Sequence, residues 1–148
     1  MKTILKILQI AIPFVWFGLL GGISFMEAPL KFQAPGITLP LGLGIGRLVF
    51  FTLNKIEIVL AILLLFTFVK IKPKGKSPLF LFAVIALLLL LETFWLLPVL
   101  DARAIAVING TSPPFSNLHV VYIIFDAIKF ILLVALGANI TRNYLKLE

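Results

Sequence analysis

Apolar runs recur four times along the chain, and their lengths match the thickness of a bilayer. Leu8 to Met26 is 19 residues without a formal charge, and about 20 apolar residues cross a hydrocarbon core. A second stretch, from about Leu48 to Val69, carries Asn54, Lys55 and Glu57 and then twelve uncharged residues, Ile58 to Val69. A third runs from Pro78 to Leu100 with Glu92 as its one charge. A fourth runs from about Leu118 to Ile140, with His119, Asp126 and Lys129 in its first half. The runs are continuous rather than alternating, so they predict helices and not the strands of a closed barrel. Short connections make neighbours antiparallel. The pattern therefore predicts an all-α protein, an integral membrane antiparallel four-helix bundle formed by residues 1–148 as one domain, with spans at about 8–26, 48–69, 78–100 and 118–140. The basic start, Lys2 and Lys6, resembles a signal peptide. The first run is longer than an h-region and no A-x-A-like site follows it, so a retained span is expected.

The connection between the first two spans departs from this pattern. It reads M-E-A-P-L-K-F-Q-A-P-G-I-T-L-P-L-G-L-G-I-G-R, with Pro29, Pro35, Pro40, Gly36, Gly42, Gly44 and Gly46. Prolines and glycines disfavour a continuous helix, yet Ile37, Leu39, Leu41, Leu43 and Ile45 are too apolar for a solvated loop. The expectation is an apolar Pro/Gly-rich re-entrant or interfacial segment packed on the bundle. Its G-x-G-x-G run lacks the Lys-Ser/Thr and the preceding strand of a phosphate loop, so close backbone packing is the favoured reading. After the third span, Ala102 to Ile108 is expected to continue as helix, with Asn109–Gly110 as its stop.

Composition agrees with the periodicity. Hydrophobic residues make up 61% of the chain and charged ones 13%, with no Cys, and the mean hydropathy is +1.18. This excludes a disordered chain, a disulfide scaffold and a zinc-finger module, and it argues against nucleic acid as a partner despite the net charge of +7. The charge reports topology instead. Lys2, Lys6, Lys70, Lys72, Lys74, Lys76, Arg142 and Lys146 fall on one side of a four-span chain, against Lys31, Arg47 and Arg103 on the other. By the positive-inside rule both termini are expected to be cytoplasmic, in a chain integral to the bacterial cytoplasmic membrane. Those eight bases less Glu148 account for the whole net charge, and the other five bases and five acids cancel.

That balanced set holds the candidate chemistry. Charges inside a membrane are costly and face a partner or a wet cavity. Glu57, Glu92, Asp126 and Lys129 lie at comparable depth, counted at about 1.5 Å per residue. His119, Tyr122, Asp126 and Lys129 are spaced 3, 4 and 3, one face of a helix. Arg47, Asn54 and Glu57 share another, while Lys55 points away to snorkel or pair elsewhere. Trp16, Leu20, Ser24 and Glu27 form a third stripe. Two readings follow. In one, Asp126 and Lys129 form an i,i+3 ion pair, Glu57 and Glu92 meet Lys55, Arg47 or a protonated partner, and the groups only fix helix register. In the other, Asn54, Glu57, Glu92, Tyr122, Asp126, Lys129 and His119 line an outward-facing polar pocket, rimmed by Glu27, Lys31, Arg47, Asp101 and Arg103. That pocket would bind or pass a small ligand, lipid or ion.

No motif identifies a reaction. Ser116 near His119 lacks a nucleophile elbow. His119 and Met26 are the candidate ligands for copper or haem iron, and the identity of any cofactor is left open. The stretches G-G-I-S-F-M-E-A-P-L-K-F, G-R-L-V-F-F-T-L-N-K-I-E and F-S-N-L-H-V-V-Y-I-I-F-D-A-I-K resemble a bacterial family of uncharacterised four-span membrane proteins. That family is similar to the transmembrane-protein-205-like domain and to the group that includes the copper-resistance D membrane domain. The likeness covers about residues 10–66 and 113–137. It implies a four-helix membrane fold and no established activity. The leading expectation is thus ligand, lipid or ion binding or passage. The alternatives are a membrane redox, metal or haem protein, and a structural or accessory subunit. The expected partners are the lipid bilayer and, for a narrow pathway, further copies of the chain.

Overall fold

The structure, a computed structural model, describes residues 2–145. Four long helices account for almost all of them: α1, Lys2–Gln33; α2, Leu39–Lys70; α3, Ser77–Ile108; and α4, Leu118–Leu145. No strand occurs among the described residues. Each helix is long and apolar enough to cross a membrane, as befits a polytopic integral membrane protein. Lys146 and Glu148, which enter the charge count, lie outside the described residues.

Local sequence explains the helix ends. Thr38 caps α2, its hydroxyl accepting from the Leu41 N–H at 3.4 Å. Pro40 and Pro78 sit in first turns, where no intrahelical donor is needed. The α3 helix stops at Ile108, and Gly110 follows with φ +81° while the Thr111 N–H donates back to the Ala106 carbonyl at 2.9 Å.

The apolar Pro/Gly-rich segment differs from the sequence expectation. Its start continues α1 to Gln33, its end opens α2 at Leu39, and only residues 34–38 are non-helical. The glycines are tolerated because Gly42 and Gly46 lie one turn apart on the face that receives α1. A Cβ on Gly42 would strike the Phe32 ring, and one on Gly46 would come 3.2 Å from Lys31 Nζ. Helical backbone with small residues on one face gives closer approach than a solvated loop, as in membrane helix pairs generally.

The helices form a closed ring. α1 packs on α2 and α4, the first half of α3 on α4, and its second half (Leu97–Ile108) on α2. Polarity is inverted relative to a water-soluble bundle. Gln9, Asn54, Glu57, Thr67, Glu92, Asp126 and Lys129 are buried, whereas Leu48, Phe80, Phe94 and Ile131 are among the most exposed side chains. An apolar exterior of this extent is a surface for lipid rather than water.

Two π turns interrupt the ring, Gly21–Glu27 in α1 and Glu92–Leu96 in α3. Gly21 opens the first of them against Phe130, whose ring is held by Phe17 at a centroid distance of 4.1 Å and Phe25 at 5.3 Å. A Cβ on Gly21 would lie 2.6 Å from Phe130 Cε2. Gly21→Leu is therefore expected to destabilise the bundle by about 1–3 kcal/mol through overpacking, read as a lower melting temperature in detergent. An unchanged melting temperature would show that the aromatic stack yields freely.

At the lysine-rich end, a hydrogen-bonded clasp joins three helices. Gln9 Nε2 donates to the carbonyls of Thr67 at 3.0 Å and Ile71 at 2.8 Å, and the Tyr144 hydroxyl donates to Gln9 Oε1 at 2.5 Å. Lys6 Nζ lies 5.3 Å from the centre of the Tyr144 ring. Asn143 Nδ2 donates to the Lys74 carbonyl at 2.9 Å. At the other end, Arg47 of α2 holds Asp101 of α3 in a two-pronged pair at 2.5 and 3.2 Å.

Candidate functional site

Midway between these two ends, all four helices converge on one ammonium. Lys129 Nζ of α4 donates to Glu57 Oε1 of α2 at 2.8 Å and to Glu92 Oε2 of α3. Asp126 Oδ1, one turn earlier on α4, lies 3.0 Å from the same nitrogen without the alignment of a hydrogen bond. From α1, Trp16 Nε1 donates to Glu57 Oε1 at 2.8 Å. The side chains of Glu57, Glu92 and Lys129 are 0% exposed and that of Asp126 is 1% exposed. Each helix supplies its group from near its own midpoint, which sets the cluster at the centre of the bundle.

Local structure dictates this convergence. The 3, 4, 3 spacing on α4 turns Tyr122, Asp126 and Lys129 to the core, and all three are buried. Glu57 follows Leu53 on the buried face of α2, and Trp16 precedes Leu20 on that of α1. Glu92 begins the π turn of α3 and enters the core between Leu89 and Leu96. The wider turn keeps both Leu96 and Leu97 buried as well, on the side toward Asp101.

The electrostatics are unbalanced. Three carboxylates meet one ammonium, so the cluster carries two formal negative charges beyond its own cation. Two carboxylate oxygens of wholly buried residues, Glu57 Oε2 and Glu92 Oε1, have no hydrogen-bond partner. Burying an ion costs several kcal/mol even after relaxation, and a carboxylate oxygen left without a donor adds to that. Such a site draws in positive charge.

The remaining residues singled out in the sequence fall elsewhere. Asn54 is buried beside the cluster, and its amide donates to Thr93 Oγ1 at 3.0 Å rather than to a carboxylate. His119 is exposed, ten residues and about 15 Å along α4 from Lys129. Glu57 and Glu92 do not meet Lys55 or Arg47. Lys55 is exposed on the outer face of α2, and Arg47 is taken by Asp101. Lys31 pairs with Glu27 at 3.3 Å, and Arg103 donates to the Pro114 carbonyl. These rim groups pair locally and do not reach the cluster.

The expected pocket does not open at this site. Trp16, Leu20, Leu53 and Leu96, all fully buried, fill the space around the charges. Two clefts open on the outside of the bundle, and the first reaches Thr93 beside the cluster. One, of about 260 Å³, is an apolar cleft between α2 and α3 lined by Ile58, Ile62, Leu65, Phe82 and Phe94. The other, of about 580 Å³, lies by Thr38, Pro40, Gly44, Leu48 and Ile108. Met26 is 59% exposed. Among the described residues no three His, Cys, Asp or Glu are placed to hold a metal ion, since the Lys129 ammonium occupies the point on which the carboxylates converge.

Three contributions were not legible as site residues. Trp16 was visible only as part of an apolar stripe. The Gln9–Tyr144 clasp and the Asn54–Thr93 pair each join residues far apart in sequence, and no spacing rule relates them. No protein-family model, curated protein or solved structure matches the chain.

Proposed function

We propose that this chain is a four-span antiparallel bundle in the cytoplasmic membrane, with both termini cytoplasmic, and that its buried centre binds a small cation. The observation that carries this is the convergence of three carboxyl groups on the single Lys129 ammonium in a closed core, with Glu57 Oε2 and Glu92 Oε1 left without a donor. The lysine-rich clasp supports the orientation, because it gathers Lys6, Lys74 and the end of α4 at one face. The hydrogen bonds from Gln9 to Thr67 and Ile71, and from Asn143 to Lys74, support the antiparallel order. Residues 34–38 and the start of α2 then lie at the outer interface, the position proposed for the re-entrant or interfacial segment. Kinship with the uncharacterised four-span family is proposed on the three stretches quoted above, and such a narrow bundle suits assembly from several copies.

One feature favours the alternative of a structural or accessory subunit. Complete burial of the cluster suits a pin that fixes helix register, a known use of buried polar groups. Thermal unfolding in mild detergent separates the two. As pH is lowered, and as sodium or potassium chloride is added at fixed pH, the wild-type melting temperature is expected to rise with one of the three cations. The fourfold variant Glu57→Gln, Glu92→Gln, Asp126→Asn, Lys129→Met is expected to show no such response while keeping its helical circular dichroism. The same response in both proteins, or none in either, would overturn the cation reading.

A further inference from the structure

Resting on the cation-binding reading, the geometry points to a proton as the cation, exchanged with the Asp101 end of the bundle only. We infer this from how polar groups are distributed on the two sides of the cluster.

Toward the lysine-rich end the core is an unbroken apolar septum. Ile12 of α1, Leu64 of α2, Ile85 and Leu89 of α3, and Leu133, Leu136 and Ile140 of α4 are all buried and pack into one cluster. The next polar side chains in that direction are Gln9, Thr67 and Asn139, whose amide donates to Ser77 Oγ. They lie seven residues from Trp16, ten from Glu57 and ten from Lys129, so the septum is about 10 to 15 Å deep. Nothing in it can hold a proton or solvate an ion.

Toward the Asp101 end Leu20, Leu53, Leu96 and Leu97 are buried as well, but polar groups run among them, at single-turn steps on α4. On α4 the order is Lys129, Asp126, Tyr122 and the exposed His119. On α2 and α3, Asn54 and Thr93 are bonded to each other beside the cluster. On α1, two turns beyond Trp16, the Ser24 hydroxyl is buried without a partner. Beyond these lie Glu27 with Lys31 and Arg47 with Asp101. The charged or titratable groups facing the cluster are therefore Glu57 from α2, Glu92 from α3, and Tyr122, Asp126 and Lys129 from α4, with the Trp16 indole from α1. Both π turns fall on this same side, Gly21–Glu27 and Glu92–Leu96, whereas toward the lysine-rich end α3 is regular and α1 is interrupted by Pro13 alone. π turns break the helical hydrogen-bond ladder and concentrate at functional sites.

The proton follows from size and donor geometry. Lys129 already fills the focus of the carboxylates, which leaves Glu57 Oε2 and Glu92 Oε1 as separate acceptors rather than a shell for a metal ion. A proton needs one oxygen, and hydroxyl and imidazole groups at one-turn spacing relay it without a pore wide enough for a hydrated ion.

The chain itself supplies the reporter. It has two tryptophans, and Trp95→Phe removes the exposed one, leaving Trp16 bonded to Glu57. In lipid nanodiscs, Trp16 emission is expected to shift with pH, to ignore sodium and potassium at fixed pH, and to lose its pH response in Glu57→Gln. Sidedness is read in sealed vesicles of uniform orientation, where Trp16 emission is expected to follow the pH on the Asp101 side and to ignore the pH on the lysine-rich side. Emission that follows sodium or potassium instead of pH overturns the proton and leaves the cation reading standing. Emission indifferent to pH and to both salts overturns the cation reading itself. Emission that follows the pH on the lysine-rich side, or on both sides, overturns the one-sided access.

Discussion

Lys129→Met is expected to destabilise the protein by about 3–5 kcal/mol, the scale for removing one partner of a buried ion pair. The substitution keeps an unbranched apolar stem of similar length, so packing changes little and the effect is electrostatic. Glu57 and Glu92 lose their ammonium donor, and three carboxyl groups are left in a core without a cation. Thermal unfolding in mild detergent measures the loss. Adding Glu57→Gln, Glu92→Gln and Asp126→Asn to Lys129→Met is expected to recover most of it, because neutral replacements of a buried ion network are often as stable as the network. Wild-type unfolding of the single variant would mean that Lys129 contributes nothing to holding α2, α3 and α4 together.

Trp16→Ala is expected to cost about 3–5 kcal/mol, the range for truncating a large buried aromatic side chain. The residue is fully buried, and it is the contact from α1 to the charged centre. Trp16→Phe isolates the hydrogen bond, since it keeps most of the ring surface but removes the indole N–H. A bond to a charged acceptor contributes about 1.5–3 kcal/mol, so the phenylalanine variant is expected to fall between wild type and alanine. The same loss in a Glu57→Gln background would show that the indole donor and the Glu57 charge act independently. A smaller loss there is the expected result.

The sequence made the helices legible because four apolar runs of bilayer length have few alternative structures. It made Glu57, Glu92, Asp126 and Lys129 legible for a related reason: charges at that depth need partners, and one helix face already held two of them. The pairing was not legible. Helical spacing places Lys129 beside Asp126, but only packing between helices brings it to Glu57 and Glu92 and leaves Lys55 outside. The helical start of α2 was hidden by its glycines and Pro40. Their local tendency is to break helices, and it is overridden where Phe32 and Lys31 need room and where proline sits in a first turn. The sealed state of the site was hidden too. Trp16, Leu20, Leu53 and Leu96 read as generic apolar positions until their side chains are seen to occupy the space that a pocket requires.

The order of synthesis gives the central cluster a consequence for biogenesis. Lys129 emerges from the ribosome 72 residues after Glu57 and 37 after Glu92. At roughly 5–20 residues per second, Glu57 waits on the order of 4–14 s for its counter-ion. During that interval α2 and α3 carry buried acids with no lysine to meet them. The first three helices therefore cannot settle as a finished unit, and α4 completes the bundle that they begin. A chain stalled or cut before α4 leaves two glutamates stranded, a mark by which membrane quality control could tell an unfinished copy from a complete one.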